Sequence, residues 1–137
     1  MNVLRFITPK SGVAYIDTES TIRQGIEKML YHGYQAIPVV TRDGKYAGTV
    51  TEGDFLRRMV ELGCSDVGCL EHEYIKDIIR TGWNPPVSVN ATAHELFLHV
   101  TEQNFVPVVD DRGVFVGIVT RNRVMKYYLD RFSESAE

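Results

Sequence analysis

Strand-like and helix-like patterns of apolar residues alternate along the chain. Residues 36–41 ("AIPVVT") and 46–51 ("YAGTVT") are rich in β-branched side chains, and Gly44 between them suits the positive φ of a tight turn. These stretches therefore predict an antiparallel hairpin. Apolar residues at helical spacing precede the hairpin from Ile22 and follow it from Phe55. A short strand over residues 13–16 comes first, so the predicted order is β-α-β-β-α.

The second half of the chain repeats this order. The run "PVVTRDGKYAGTVT" from Pro38 aligns with "PVVDDRGVFVGIVT" from Pro107, and the hairpin glycine recurs as Gly113. The alignment divides the chain into a first repeat at 1–62, a linker at 63–74, a second repeat at 75–130 and a polar tail at 131–137. Because a sheet with helices on one face leaves its other face bare, the predicted class is α/β (α+β) with the two sheets packed together.

Capping residues predict where the first helix of each repeat starts. Asp17, Thr18 or Ser20 precede the helix of the first repeat, and Asn90 or Thr92 precede that of the second. Gly33 is expected to close the helix of the first repeat.

Composition narrows the function classes. The formal net charge is -3, which offers no strong field for nucleic acid, and no apolar run approaches the roughly 20 residues that cross a bilayer. We therefore expect a cytoplasmic protein without a nucleic-acid or membrane partner.

The chain has two cysteines, Cys64 and Cys69, in the predicted linker. Two cysteines fit a reducing compartment, and we expect free thiols. With His72 they have a spacing that resembles a zinc site, but structural zinc takes four ligands and no fourth is near in the sequence.

The residues at the start of the second helix carry a specific resemblance. The pattern G-x-V-T-x-x-D at Gly48, Val50, Thr51 and Asp54, together with the duplicated hairpin, resembles a pair of cystathionine-β-synthase (CBS) domains. The resemblance spans nearly the whole chain and leaves no room for a catalytic domain. It implies a stand-alone regulatory protein without enzymatic activity or a required cofactor. Two sheets would pack about a pseudo-twofold axis, and the helices would form a homodimer.

The resemblance also implies two clefts between the repeats, where an adenine nucleotide is the regulatory ligand. The first cleft would join Thr51, Asp54, Val87, Phe105 and Val106. The second would join Thr120, Arg121, Arg123, Val13, Ala14, Gln35, Ala36 and Ile37. A threonine and an acid at a helix start suit a nucleotide, because free amides favour phosphate and a carboxylate accepts from a ribose diol.

The two clefts differ in charge. The second has Arg123 where the first has Asp54, and arginine favours phosphate. This basic run is similar to that of small bacterial CBS proteins that bind cyclic di-AMP, in which a lysine also precedes the first strand. Here Lys10 lies off that register. We therefore rank AMP, ADP or ATP above cyclic di-AMP.

Other interpretations stay open. Thr51 and Asp54 are also an ordinary helix cap, and Arg121 and Arg123 are also ordinary surface charges. Phe105, aligned with Ala36 of the first repeat, would fill a cleft in a ligand-free dimerisation scaffold. In either case the partner would be a regulated enzyme or transporter.

Overall fold

The computed structural model describes residues 3–136, the side chains of residues 67 and 134–136 excepted. The strands are β1 (Thr8–Pro9), β2 (Ile16–Asp17), β3 (Ala36–Val40), β4 (Tyr46–Thr51), β5 (Val87–Ser88), β6 (Phe105–Val109) and β7 (Phe115–Thr120). The helices are α1 (Ile22–His32), α2 (Glu52–Leu62), α3 (Ala93–Glu102) and α4 (Arg121–Ala136). Two sheets and four α-helices in the described part of the chain confirm the α/β (α+β) class.

One compact unit, here called the middle unit, runs from Ala14 to Trp83. Its sheet has the order β2-β3-β4, with β2 parallel and β4 antiparallel to β3. Helices α1 and α2 bury apolar side chains against this sheet because their apolar residues fall on one stripe. The core residues are Ile16, Ile22, Met29, Ile37, Val39, Val50, Phe55, Leu70 and Ile75.

The other unit, here called the terminal unit, combines the chain up to Val13 with the chain from Asn84 onward. Its sheet has the order β1-β7-β6-β5, and β1 pairs with β7 in antiparallel register, Thr8 opposite Ile118. The core residues are Val3, Phe6, Val87, Ala91, Leu96, Val100, Val106, Val108, Val119 and Val124. The sequence did not predict the pairing of β1 with β7.

The predicted hairpins are confirmed. Strand β3 pairs with β4 and β6 with β7, and both turns contain a glycine at positive φ: 93° at Gly44 and 82° at Gly113. Gly33, at φ 69°, closes α1 in the left-handed conformation as predicted. These features depend on local sequence, which explains why they were predictable.

The predicted cap of α1 is wrong. The cap is Thr21, whose hydroxyl accepts from the amide of Gln24, while the Gln24 side chain accepts from the amide of Thr21. This reciprocal pair outcompetes the earlier candidates because it satisfies two free amides at once. In the second repeat, Thr92 caps α3, as one of the two predicted candidates.

Helix α4 continues through residues 131–136, so the described part of the predicted polar tail is helical. Glu137 lies outside the described residues.

The expectation of free thiols at Cys64 and Cys69 is wrong. Their sulfur atoms are bonded in a disulfide whose Cα atoms lie 6.0 Å apart, within the usual span of such a bond. The physical reason is the turn between them: after Gly63 ends α2, a 3₁₀ turn at Val67–Leu70 brings the chain back toward Cys64. The two cysteines whose spacing with His72 resembled a zinc site are therefore both in the disulfide.

Each unit contains the return strand of one repeat and, packed over it, the first residues of the other repeat. In the middle unit, the segment with Ile79 packs over Gly48 of β4; in the terminal unit, Ile7 and Thr8 pack over Gly117 of β7. A β-carbon at Gly48 would overlap the Ile79 side chain, and one at Gly117 would overlap the carbonyl oxygen of Thr8. Both repeats therefore have glycine there for two reasons: another segment crosses the return strand, and φ is positive, 151° at Gly48 and 159° at Gly117, which residues with side chains rarely adopt.

We expect Gly48→Ala to destabilise the protein by about 1–3 kcal/mol, because the added methyl group overlaps Ile79. Adding Ile79→Ala removes the overlapping atoms, so a urea-unfolding double-mutant cycle should show a favourable coupling of about 1 kcal/mol or more. The matched cycle of Gly117→Ala with Ile7→Ala should show much smaller coupling, because the main-chain oxygen of Thr8 remains. Equal coupling in the two cycles would contradict this account.

Candidate functional site

Helix α2 begins with a capping box formed by Thr51 and Asp54. The Thr51 hydroxyl accepts from the amide of Asp54 at 3.2 Å, and the Asp54 carboxylate accepts from the amide of Thr51 at 2.8 Å. The Thr51 hydroxyl also donates to that carboxylate at 3.0 Å. The local capping interpretation of this pair is therefore correct, and any ligand role comes in addition to it.

The Asp54 carboxylate is buried and paired with two arginines. Its side chain is only 1% exposed, although side chains at a helix start are usually solvent-exposed. Arg57, one turn along α2, donates from Nη1 to Oδ1 at 3.1 Å. Arg80, from the start of the second repeat, places Nε 2.9 Å from Oδ1 and donates from Nη2 to Oδ2 at 3.5 Å. A buried carboxylate requires such partners, because an unpaired charge is costly away from water.

Arg80 contacts both Asp54 and Trp83. Its guanidinium lies 4.2 Å from the ring centre of Trp83, which gives a cation–π contact in addition to the ion pair with Asp54. Its Nε is buried without a well-aligned hydrogen bond in the described structure, so its approach to Oδ1 is ionic in character. The side chain is nevertheless 39% exposed, whereas that of Asp54 is not.

A cavity of about 260 Å³ opens at this cluster. It is lined by Asp54, Arg57, Arg58, Glu61, Asp77, Ile78, Ile79 and Arg80. Arg58 donates to Glu73 and to Glu61, and these hydrogen bonds, Glu73 first, raise the pKa of Arg58 above its ordinary value. Arg58 is thus committed to neighbouring acids, and Arg57 and Arg80 are the cations that face Asp54.

The equivalent helix start in the terminal unit is electrostatically different. The Thr120 hydroxyl accepts from the amide of Arg123 at 3.1 Å, which repeats the cap of α2 without an acid. Arg121 donates from Nε to the carbonyl of Val100 at 2.8 Å, near the end of α3. Arg123 is exposed, and among the described side chains, those of residues 3–66 and 68–133, neither Arg121 nor Arg123 forms an ion pair.

Several predicted site residues lie together within a unit. In the middle unit Ala36 pairs with Thr51, and the carbonyl of Gln35 accepts from the amide of Glu52 at 3.1 Å. In the terminal unit Phe105, partly buried, pairs with Thr120. The assignment of residues from both units to shared clefts stays a prediction.

Other predicted residues are buried, so their side chains are poor candidates for ligand contact. Ile37 and Val106 are fully buried in their cores, and Val87 and Val13 are also buried. Only the main chain of these residues is available to a ligand. Ala14 packs at the edge of the middle unit's core.

The sequence did not identify Arg57, Arg80 or Trp83. Arg57 follows Asp54 by three positions on a helix, a spacing that brings side chains together and was available as a signal. Arg80 and Trp83 belong to the start of the second repeat and reach the site through the tertiary fold, and no local pattern indicates that contact.

Comparison with known proteins identifies the family. The CBS domain model matches residues 6–61 and 75–130, one match in each repeat. The chain therefore belongs to the CBS domain family, as its duplicated hairpin and the G-x-V-T-x-x-D pattern predicted.

Solved structures share the fold at low sequence identity. A CbpB in complex with c-di-AMP has 22% identity and a TM-score of 0.88, over 98% of this chain and 91% of that one. The Listeria monocytogenes CbpB, also in complex with c-di-AMP, has 22% identity and a TM-score of 0.85, over 96% and 97%. CBSX2 in complex with AMP has 21% identity and a TM-score of 0.74, over 94% and 96%.

A homoserine O-acetyltransferase from Methanohalophilus mahii is 26% identical over 104 residues. The match covers 76% of this chain but only 20% of that protein, so it concerns a small part of a longer polypeptide.

No helix in the described part of this chain is long and apolar enough to cross a membrane.

We expect Thr51→Ala to lower the free energy of unfolding by about 1–2 kcal/mol, and Thr120→Ala to lower it by less. Both lose a cap, but Thr51 also donates to a buried carboxylate that then lacks one partner. Urea unfolding measures both. Thr101→Ala on α3 loses only an exposed local hydrogen bond to the carbonyl of Leu98 and serves as a control within about 0.5 kcal/mol of wild type. Equal losses at positions 51 and 120 would contradict the special role of Asp54.

Proposed function

We propose that this protein is a regulatory module that binds an adenine nucleotide and transmits its ligand state to a partner enzyme or transporter. The observation that carries the proposal is the paired helix start, in which Thr51 with Asp54 and Thr120 with Arg123 occupy equivalent places after the return strands. Free amides at such a start favour phosphate, and the acid is the type of group that accepts from ribose. Membership in the CBS domain family supports the same conclusion.

The leading ligand class is AMP, ADP or ATP, since Asp54 is the residue suited to a ribose diol. Cyclic di-AMP is the second candidate, favoured by the absence of ion pairs at Arg121 and Arg123 among the side chains that the structure describes. The structural similarity to the CbpB of Listeria monocytogenes in complex with c-di-AMP points the same way. We propose that the protein has no catalytic activity and requires no cofactor.

Binding regulates only if the ligand has different affinities for two states of the protein. We propose that the relevant assembly is a homodimer formed through helices. The support is an apolar pair repeated one turn apart on equivalent exposed surfaces: Leu56 and Val60 on α2, and Met125 and Leu129 on α4. These side chains are between 54% and 73% exposed, and apolar residues at such spacing suit helix packing against a second copy.

We expect Arg123→Gln to weaken binding of the phosphorylated ligand about tenfold, because one charge-assisted contact contributes about 1.5 kcal/mol or more. Isothermal titration with AMP, ADP, ATP and cyclic di-AMP measures this and ranks the ligands. Arg112→Gln is the matched control, since Arg112 lies in the exposed hairpin turn of the same unit. Equal weakening in both variants would indicate a general charge effect, and no heat with any of these nucleotides would reject the proposed ligand class.

We expect wild-type protein to be a dimer by light scattering, and the double variant Leu56→Glu, Leu129→Glu to be a monomer, because each new carboxylate would be desolvated in the interface. Lys126→Gln, at an exposed position of α4, changes the charge by one unit and should remain dimeric. A monomeric wild type at micromolar concentration, or a dimeric double variant, would contradict the proposed interface.

A further inference from the structure

The acceptor capacity of Asp54 is fully used before any ligand arrives. An ionised carboxylate offers about four lone-pair sites. Here the carboxylate accepts from the Thr51 amide and hydroxyl, and from Arg57, and it is also in ionic contact with Arg80. A ribose diol needs two of these sites, so some resident donor has to leave.

The fold determines which donor leaves. The two donors from Thr51 belong to the helix cap, and their loss would uncap α2. Arg57 is more exposed, but it belongs to α2 and stays one turn from Asp54. Arg80 comes from outside the helix, and its side chain is partly exposed. Its Nη2 makes the longest hydrogen bond to the carboxylate at 3.5 Å, and its Nε, 2.9 Å from Oδ1, has no well-aligned hydrogen bond in the described structure. Trp83 also contacts the guanidinium, so the side chain keeps one contact when it leaves Asp54.

A neutral diol does not replace what Arg80 loses. When a hydroxyl takes its place at Asp54, the guanidinium loses its paired anion in a cavity that Arg57, Arg58, Glu61 and Asp77 also line, and Glu61 is already paired with Arg58. A ligand phosphate restores an anion to it, and guanidinium pairs well with phosphate oxygens. A nucleoside supplies the diol alone, whereas a nucleotide supplies the diol and the replacement anion.

We propose that Arg80 is the displaceable counter-ion of Asp54, and that this exchange makes the Asp54 site select nucleoside phosphates over the neutral nucleoside. The inference rests on the proposed function, because it assumes that the ribose of an adenine nucleotide reaches Asp54. Arg80 then contributes to specificity through charge, and Trp83 is its positioning residue.

The test compares AMP with adenosine in the full-length protein. Trp83 is the single tryptophan of the chain and contacts Arg80, so its fluorescence reports directly on the movement of this side chain. Calorimetry gives the two dissociation constants independently of the probe. In wild type we expect AMP to bind about tenfold or more tightly than adenosine, with a change in Trp83 emission for AMP.

In Arg80→Gln we expect adenosine to bind more tightly and AMP less tightly, so that the preference for AMP falls at least fivefold. Arg80→Lys keeps a cation and should keep a preference for AMP, which guards against a folding defect in the glutamine variant. Arg23→Gln removes one charge from the same unit away from the cavity, where Arg23 pairs with Glu27, and should leave the preference within twofold.

The outcomes separate this inference from the proposed function. If wild type binds AMP but Arg80→Gln leaves the preference unchanged, or Arg23→Gln lowers it equally, the role of Arg80 is refuted and nucleotide binding stands. If Arg80→Lys loses the preference although it is folded, charge is not the selecting property, and the inference is also refuted. If wild type binds neither AMP nor adenosine, this inference fails, and the proposed function fails with it only if ADP, ATP and cyclic di-AMP also give no heat.

Discussion

The crossing of a return strand by a segment from elsewhere in the chain is the constraint on which both units depend. At Gly48 and Gly117 the missing side chain lets that segment lie directly on the sheet. The crossing closes the core, because Ile75 and Leu70 in one unit and Val3 and Phe6 in the other are among its buried residues. The segment that passes Gly48 also continues to Arg80 and so brings a cation to Asp54.

The same architecture thus carries opposite electrostatics in its two copies. In the middle unit a buried acid is paired with two arginines before a ligand binds. In the terminal unit the corresponding position, Arg123, is exposed, and no acid among the described side chains balances it. The two copies therefore have the same threonine cap, but the residue three positions after the threonine is acidic in one and basic in the other, as the exchange of Asp54 for Arg123 predicted.

Features set by neighbouring residues were predictable, and features set by distant ones were not. The hairpins followed from Gly44, Gly113 and the β-branched runs, and the cap of α2 followed from the spacing of Thr51 and Asp54. The pairing of Thr8 with Ile118 and the contact of Arg80 with Asp54 join separate parts of the chain, which no periodicity records. The disulfide was missed for another reason: the expectation rested on compartment rather than on the turn that brings the two sulfur atoms together.

The exchange of crossing segments has a consequence for how such a protein is inherited. A cut between the two repeats would leave each fragment without the piece that covers its own sheet, because Thr8 and Ile79 each pack on the other repeat's return strand. A lone copy is therefore an incomplete folding unit. The smallest unit that can fold after transfer into a longer polypeptide is therefore the pair, so recombination has to move both copies together.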